Sequence, residues 1–364
     1  MSYKFAVIPG DGTGPEVVDA ACTVLATVSQ QYAFKYTLTP LPWGGQYYLD
    51  TGFLPDDAAL NSLKHYDSII LGAIGDARVK SGILERGILL KLRFGLDQYI
   101  NLRPVPRYPG VQTALKSDKP FAYTVIRENT GGLYTGVGRR VNPDTPDEIA
   151  EQTMVYSYKQ VYRCVKYAFD YAQKQHETEP WPGLSDAERR AGYTAKLTLC
   201  GKNNVLIYMF DLWERVIAEL APAYPMVLVD YVHVDAACIY MIESPERFNI
   251  ILTLNMFGDI ITDLAAVTQG GMGIAAGGNI NPEGVSMFEP IGGTAPAFTG
   301  KNQINPLAAI GSIALLLAHH QEHAAAASIT RAIARVIPQL DSLQAGHLGM
   351  GTTDVANRVC DALS

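Results

Sequence analysis

Two aspartates set four residues apart close the stretch Asn255-Met-Phe-Gly-Asp259-Ile-Ile-Thr-Asp263. On a helix, residues i and i+4 share a face, so the two carboxylates stand side by side. Carboxylates so placed repel one another unless a cation lies between them, and a hard divalent ion, Mg2+ or Mn2+, takes oxygen ligands of this kind. Acids in the first turn of a helix also suit its dipole, and these residues alone leave both readings open. Arginines give a second signal. Arg93, Arg103 and Arg127 each fall at the end of a predicted element, where side chains can converge. A guanidinium is matched to bidentate carboxylate binding, although one arginine by itself is more often a surface ion-pair partner. A third signal is weak. Gly10, Gly12 and Gly14 resemble a dinucleotide-binding turn, but the third glycine is misplaced and no acid closes a properly spaced second strand. A tight strand-to-helix turn accounts for them.

The elements that must position these residues alternate along the chain. Phe5–Pro9 reads as a first strand, followed by a helix from Val17 to about Ser29, with Thr13 and Glu16 as a capping box and Pro15 in the first turn. Ser68–Ile74 is a buried strand. Leu84–Leu96 is helix-like and ends near Arg93. Tyr99–Arg103 is a strand stopped by Pro104, and Phe121–Arg127 is another, running into a turn-rich loop that carries Tyr134. From Pro143 the chain starts acidic and becomes a long amphipathic helix to about Gln173. The stretch 174–193 reads as a polar surface excursion with a capping signal at Ser185 and Glu188. Lys196–Cys200 and Met226–Asp230 are strands, and Val234 opens a helix. Ile250–Leu254 is a buried strand that Gly258 breaks before a helix bearing Asp259 and Asp263. A glycine-rich run, Gly270–Gly278, and two mainly helical segments follow. This alternation predicts an α/β fold with mostly parallel strands.

Length and composition bound the possibilities. A chain of 364 residues, 48% apolar, suits two domains or one large α/β unit with a sizeable core. A net charge of −7 gives no basic footprint for nucleic acid. The longest apolar stretch, Leu307–Ala318, is too short to span a bilayer, and no signal segment is expected at the start, so no membrane partner is expected. The five cysteines, Cys22, Cys164, Cys200, Cys238 and Cys360, form no CxxC pair and fit reduced thiols of a cytoplasmic protein.

Taken in order, the motifs resemble the β-decarboxylating dehydrogenases, the family of isopropylmalate, isocitrate, homoisocitrate, tartrate and D-malate dehydrogenases. They are Pro9-Gly-Asp-Gly-Thr-Gly-Pro-Glu16, Leu92-Arg93, Asn101-Leu-Arg103-Pro104, Arg127-Glu-Asn-Thr-Gly-Gly-Leu-Tyr134, Lys202-Asn-Asn204, His233-Val-Asp235-Ala, Asn255–Asp263 and Gly293-Thr-Ala-Pro296. The likeness covers essentially the whole chain and is nearest to the bacterial isopropylmalate branch. It implies a two-domain isopropylmalate/isocitrate dehydrogenase-like fold with a non-Rossmann dinucleotide site. Residues 1–98 plus 270–364 would form a large cofactor domain, and 99–269 a central domain with a dimerisation arm and the 174–193 insertion. It further implies a homodimer, or a larger homo-oligomer, with active-site clefts shared between subunits.

For the site, the resemblance makes Arg93, Arg103 and Arg127 the clamp on a dicarboxylate substrate. Leu89, Leu90 and Asn204, with Val205 of the partner subunit, would complete that pocket. Asp259 and Asp263, with Asp235 of the partner subunit, would hold Mg2+ or Mn2+, with Lys202 of the partner subunit as general base and Tyr134 as the acid. Singly, Lys202 is a solvated loop lysine and Tyr134 a packed aromatic among 20 tyrosines. NAD would lie against Glu289, Gly292, Gly293, Thr294, Ala295, Pro296, Ala297 and Asn305. Relatives place a histidine where Gly292 stands and an acid where Ala297 stands. Thr13 occupies a position usually filled by isoleucine, which would loosen the apolar wall of the substrate pocket. The reaction implied is oxidative decarboxylation of a 3-substituted malate, most simply 3-isopropylmalate. A paralogue acting on 3-benzylmalate, tartrate or D-malate, or a catalytically silent regulatory subunit, are the alternatives.

Overall fold

The computed structural model describes residues 2–115 and 119–363. Its strands, in chain order, are β1 Ser2–Gly10, β2 Lys35–Pro40, β3 Ser68–Ala73, β4 Ile100–Pro106, β5 Ala122–Glu128, β6 Gly138–Val141, β7 Ile149–Gln152, β8 Ala195–Gly201, β9 Val227–His233, β10 Ile250–Thr253, β11 Ala276–Ile280 and β12 Ser286–Pro290. The chain forms two compact units. Unit 1 holds residues 1–98, 102–114 and 266–364, and unit 2 holds 99–101 and 115–265. The stretch 102–114, assigned to the central domain from sequence, therefore belongs with unit 1. The reason is strand order: β4 lies beside β11.

In unit 1 the strand order is β2-β1-β3-β12-β11-β4. β1 pairs in parallel with β2 and β3, and β12 with β3, while β11 and β12 are antiparallel. The apolar core on one face gathers Ile8, Leu63, Leu71, Leu84, Ile88, Leu92 and Met287. Leu84, Ile88, Leu92 and Leu96 repeat at intervals of four, which drifts around an ordinary α-helix. The chain meets this by opening Glu85–Leu90 into a wider π-type turn before the α-helical Lys91–Gly95, and all four leucine and isoleucine side chains are buried.

Unit 2 is wholly parallel in its main sheet, β5-β10-β8-β9, and the register explains its chemistry. Thr253 of β10 pairs with Arg127 and with Cys200, and Gly201 pairs with His233. Arg127, Lys202, Asp235 and Asn255 thus all lie within three residues of a register-matched row at the carboxyl ends of four strands. In open α/β sheets this is where ligands bind.

Several sequence expectations shift. The helix after β10 runs Asn255–Gln269 and includes Gly258. β4 continues past Pro104 to Pro106. The acidic segment after Pro143 does not begin the long helix. It forms the β6–β7 hairpin, since Asn142 and Asp144 adopt left-handed backbone that a helix cannot carry, and Arg140 bridges Asp144 and Glu148 across the turn. The helix proper is Tyr158–Gln175, closed by a capping box of Ser157 and Gln160. The excursion 174–193 folds around buried Trp181 and Leu184, with the expected Ser185/Glu188 capping box in place.

Candidate active site

Arg127 leaves β5 and crosses the first turn of the Asn255–Gln269 helix. That approach requires glycine at 258, because a Cβ there would lie 2.6 Å from Arg127 Cβ and 2.5 Å from its Cγ. The guanidinium is 1% exposed. Its Nε and Nη2 donate to Asn255 Oδ1 at 3.0 and 2.7 Å, and its Nη1 donates to Asp259 Oδ1. Tyr134 donates its hydroxyl to the other oxygen of Asp259 at 2.5 Å, and the Arg127 guanidinium lies 5.3 Å from the Tyr134 ring centroid. One half-exposed carboxylate is thus held between a buried cation and a phenol, which fixes its orientation toward solvent.

The loop that delivers Tyr134 is itself pinned. Glu128 is fully buried and accepts from the backbone of Thr130 and Gly131 and from the Thr130 hydroxyl, all within 2.9 Å. Burial pushes its pKa up, against these hydrogen bonds and the nearby Arg163, which pull it down. Tyr156 packs on the Gly131–Gly132 pair so closely that no Cβ fits, and its hydroxyl accepts from the Asn255 backbone. Asn255 also donates its side-chain amide to Gly131 carbonyl at 3.0 Å. Asp263, one turn beyond Asp259, is exposed.

A second pair forms at the ends of β8 and β9. Lys202 Nζ donates to Asp235 Oδ2 at 2.8 Å, and this ammonium holds the Asp235 carboxyl below its ordinary pKa. Among the described residues, no three His, Cys, Asp or Glu side chains of one chain come together as a metal cage. Asp259 and Asp263 offer two hard oxygen donors on one helix face, a donor set that fits Mg2+ or Mn2+ once a third carboxylate is supplied. Asn204 and Val205, just beyond Lys202, are exposed.

In unit 1 the loops after β1, β3 and β12 are fastened mainly by side chains bonded to backbone groups. Asp11 accepts from Gly45 N at 2.6 Å and Gly75 N at 2.9 Å. Thr13 gives both its N–H and its hydroxyl to Thr294 carbonyl, at 2.9 and 3.1 Å. Gly12, at φ +59°, lies so near that a Cβ would fall 2.1 Å from the same oxygen. The Thr13 hydroxyl clasps the 289–297 loop, a contact the sequence did not show, and one expectation changes here. Glu16 forms no capping box, because its carboxylate accepts from Gly300 and Asn302 instead. Ala295, in the same loop, takes left-handed backbone at φ +40°.

Beside this loop opens a cavity of ≈ 630 Å³, bordered by Thr13, Gly270–Gly273, Gly292, Gly293, Ala295 and Asn305. Its size suits the adenosine part of a dinucleotide. The Asn305 amide is already used, donating to Leu343 carbonyl and accepting from Leu307 N. Arg93 donates to Glu289 Oε1 at 3.2 Å, an oxygen also bound by Asn279, and Arg93 Nε–H is buried without an acceptor. Arg103 is buried, its stem beside Gly277. Leu89 packs on the unit 1 core, and Leu90 is half-buried. Thr294 is half-buried, whereas Pro296 and Ala297 are exposed.

The model of the isocitrate/isopropylmalate dehydrogenase family matches residues 4–359. The chain belongs to that family. A 3-isopropylmalate dehydrogenase of Thermobifida fusca is 44% identical, with 99% of this chain and 98% of the relative aligned. One of Corynebacterium glutamicum is 42% identical over 99% of both. The crystal structure of isocitrate dehydrogenase from Methylococcus capsulatus superposes with a TM-score of 0.82 at 31% identity, covering 99% of each chain.

Within the family frame, the structure brings together Arg127, Tyr134 and Asp259 in one network, and Lys202 with Asp235 in another. Sequence reading missed the residues that hold them: Asn255, Glu128, Tyr156 and the space at Gly258. The Gly131–Gly132 pair was a usable signal for close ring packing, whereas nothing local marks Asn255 as the acceptor of Arg127. It also missed Gln112, Thr113 and Gln344 at the cavity, which lie far apart in sequence.

Proposed function

We propose that the protein is a homodimeric, metal- and NAD-dependent dehydrogenase that oxidises 3-isopropylmalate at its 2-hydroxyl and releases CO2. The observation that carries this is the Asp259 carboxylate held between Arg127 and Tyr134. It sets a metal-type ligand against a proton donor at the carboxyl ends of parallel strands, and the names of the relatives supply the substrate. A divalent ion held by Asp259 and Asp263 with Asp235 of the partner subunit would supply Lewis-acid polarisation of the 2-hydroxyl and of the charge left by CO2 loss, and NAD would accept the C2 hydride.

Side chains of the two subunits do the rest. Arg93, Arg103 and Arg127 hold the two carboxylates, with the unpartnered Arg93 Nε–H as one donor. Lys202 of the partner subunit, paired with Asp235 of the same subunit, removes the proton from the 2-hydroxyl as hydride leaves C2. The resulting β-keto acid loses its 3-carboxylate as CO2, the bonding pair remains toward C3, and Tyr134 donates the proton that C3 takes up. Leu89, Leu90 and Val205 would form the apolar wall for the isopropyl group, with Asn204 at its edge. Glu289, Gly292–Ala297 and Asn305 would border the cofactor.

The dimer is supported by an exposed apolar surface. Val205, Ile207, Tyr208, Ile239, Ile242 and Ile260 stand exposed on the three segments that also carry Lys202, Asp235 and Asp259. A lone chain also gathers no three-carboxylate cage among its described residues. No described helix is long and apolar enough to cross a membrane, and the five cysteines are free, which fits a reducing cytoplasm.

The test is initial NADH formation with Mg2+ or Mn2+ against isopropylmalate, benzylmalate, isocitrate, D-malate and tartrate. Preference for isopropylmalate supports the proposal. Preference for another malate reassigns the substrate, and folded protein without turnover on any of them refutes the enzyme reading. Sedimentation as a monomer would remove the shared site.

A further inference from the structure

Lys202 is held by more than its ion pair. The pair with Asp235 is partly open to water, the lysine side chain 27% and the aspartate 66% exposed. An ion pair in that setting does little to fix a flexible four-carbon stem. On the proposed function this stem serves the active site of the other subunit, so its aim has to be set from within its own. The backbone around it is built for that. Gly201 meets the Phe210 ring so closely that a Cβ would fall 1.9 Å from its Cε1. The Lys202 carbonyl accepts from Val205 N at 3.1 Å and from Leu206 N at 2.8 Å, which closes a turn over 202–206. Within that turn, Asn203 N donates to the Tyr231 hydroxyl at 2.8 Å, and the Asn203 side-chain amide donates to Glu214 Oε1 at 2.8 Å.

Tyr231 is placed to be that acceptor. It stands on β9 opposite Leu199 of β8, and its phenol reaches past the end of β8 to position 203. The ring is edge-on to Phe210, with centroids 6.3 Å apart at 85°, and edge-on to His233, 5.3 Å apart at 90°, so two neighbours fix its plane. Burial pushes the phenol's pKa up, against the Asn203 hydrogen bond, which pulls it down. His233 in turn immediately precedes the helix Val234–Glu243, whose first turn carries Asp235. One aromatic side chain therefore touches both the turn that bears Lys202 and the strand end that leads to Asp235. Building on the reading that Lys202 is the general base, we propose that Tyr231 is a positioning residue, whose hydroxyl anchors the Asn203 amide and so holds the Lys202 ammonium against Asp235. A phenylalanine at 231 would keep the ring contacts and lose the anchor.

The experiment compares full-length wild type with Tyr231→Phe, using Mg2+, NAD and the 3-substituted malate that wild type oxidises best, with hydrogen or deuterium at C2. In the variant kcat should fall about 10- to 50-fold, because a misaimed base loses its near-attack geometry. KM for the malate should stay within about twofold, since the arginines still hold its carboxylates, and the deuterium isotope effect on kcat should grow. Hydrogen exchange gives a readout independent of turnover: the Asn203 amide should exchange about tenfold faster or more in the variant, while β8 keeps its protection. Wild-type kcat in Tyr231→Phe overturns this proposal and leaves the proposed reaction standing. A variant that no longer folds, or that loses kcat with a raised KM and faster exchange throughout β8 and β9, marks a structural part for Tyr231 and overturns it as well. Folded wild-type protein that oxidises no 3-substituted malate overturns the reading of Lys202 as base and this proposal with it.

Discussion

The carboxyl ends of β5 and β10 carry charged side chains bonded to one another, whereas the loops around the unit 1 cavity are joined chiefly by single side chains bonded to backbone groups. In unit 2, Arg127 is buried and satisfied by Asn255 and Asp259, and Asp259 is further fixed by Tyr134. In unit 1, the 289–297 loop is tied at its start by Arg93 and Asn279 on Glu289, and further along by two hydrogen bonds from Thr13 to one carbonyl, by glycine at 12, and by a left-handed Ala295. On the proposed function, the difference follows from task. A carboxylate that must hold one orientation beside a developing charge needs fixed charged partners at low dielectric. A loop that must accept the face of a nucleotide needs shape, which glycine and backbone supply without a side chain in the way.

The hardest test of this contrast is Asp259→Asn. It removes a metal-type ligand and weakens the acceptor of both Arg127 and Tyr134, and kcat should fall about 10³-fold or more. A loss below about tenfold would mean that the network is structural rather than catalytic. Gly258→Ala comes next. Its methyl would collide with the Arg127 stem, so we expect about 1–3 kcal/mol of lost stability in urea melts and roughly a tenfold fall in kcat/KM for the dicarboxylate. Wild-type values in both assays would show that Arg127 has room to move.

Thr13→Val samples the other region. It removes one hydroxyl bond to Thr294, costing about 1 kcal/mol. The expected signature is a higher KM for the nucleotide at unchanged kcat, and a fall in kcat instead would erase the proposed division of labour. The smallest effect belongs to the excursion, at a site built like neither region. His176 Nε2 accepts from Asn249, whose amide orientation is fixed by Lys196 N, and its Nδ1–H donates to Glu179 carbonyl. Burial lowers its pKa from the ordinary 6.5. Above that value both folded and unfolded states are neutral and the contribution is complete. As pH falls through 6.5 toward the lower folded value, the unfolded state takes the proton first and stability is lost. Acidification across this window should lower Tm by about 1–3 °C more in wild type than in His176→Gln, as read by calorimetry.

Much of this was legible from residues alone. Strand and helix alternation, Arg127 at the end of its strand, the Asp259/Asp263 face and the Ser185/Glu188 cap all depend on local periodicity and spacing, which sequence carries directly, whereas Arg103 lies within β4 and not at its end. The hairpin at 138–152 was not legible, since acidic residues after a proline fit a helix start as well as a turn. Nor was the fate of Thr13 and Glu16, whose spacing satisfies a capping box while their partners lie more than 280 positions away.

Sequence by itself thus determined most of the elements and the family and named the candidate reactive groups, because the patterns behind them lie within a turn or a strand. Only tertiary structure decided how those groups are held. Arg127 meets Asn255 and Asp259 because β5 and β10 pair in one parallel register, and Thr13 meets Thr294 because the loop after β1 lies against the loop after β12. Both outcomes rest on contacts between residues distant in the chain, where closing the loop costs entropy that only the assembled core repays.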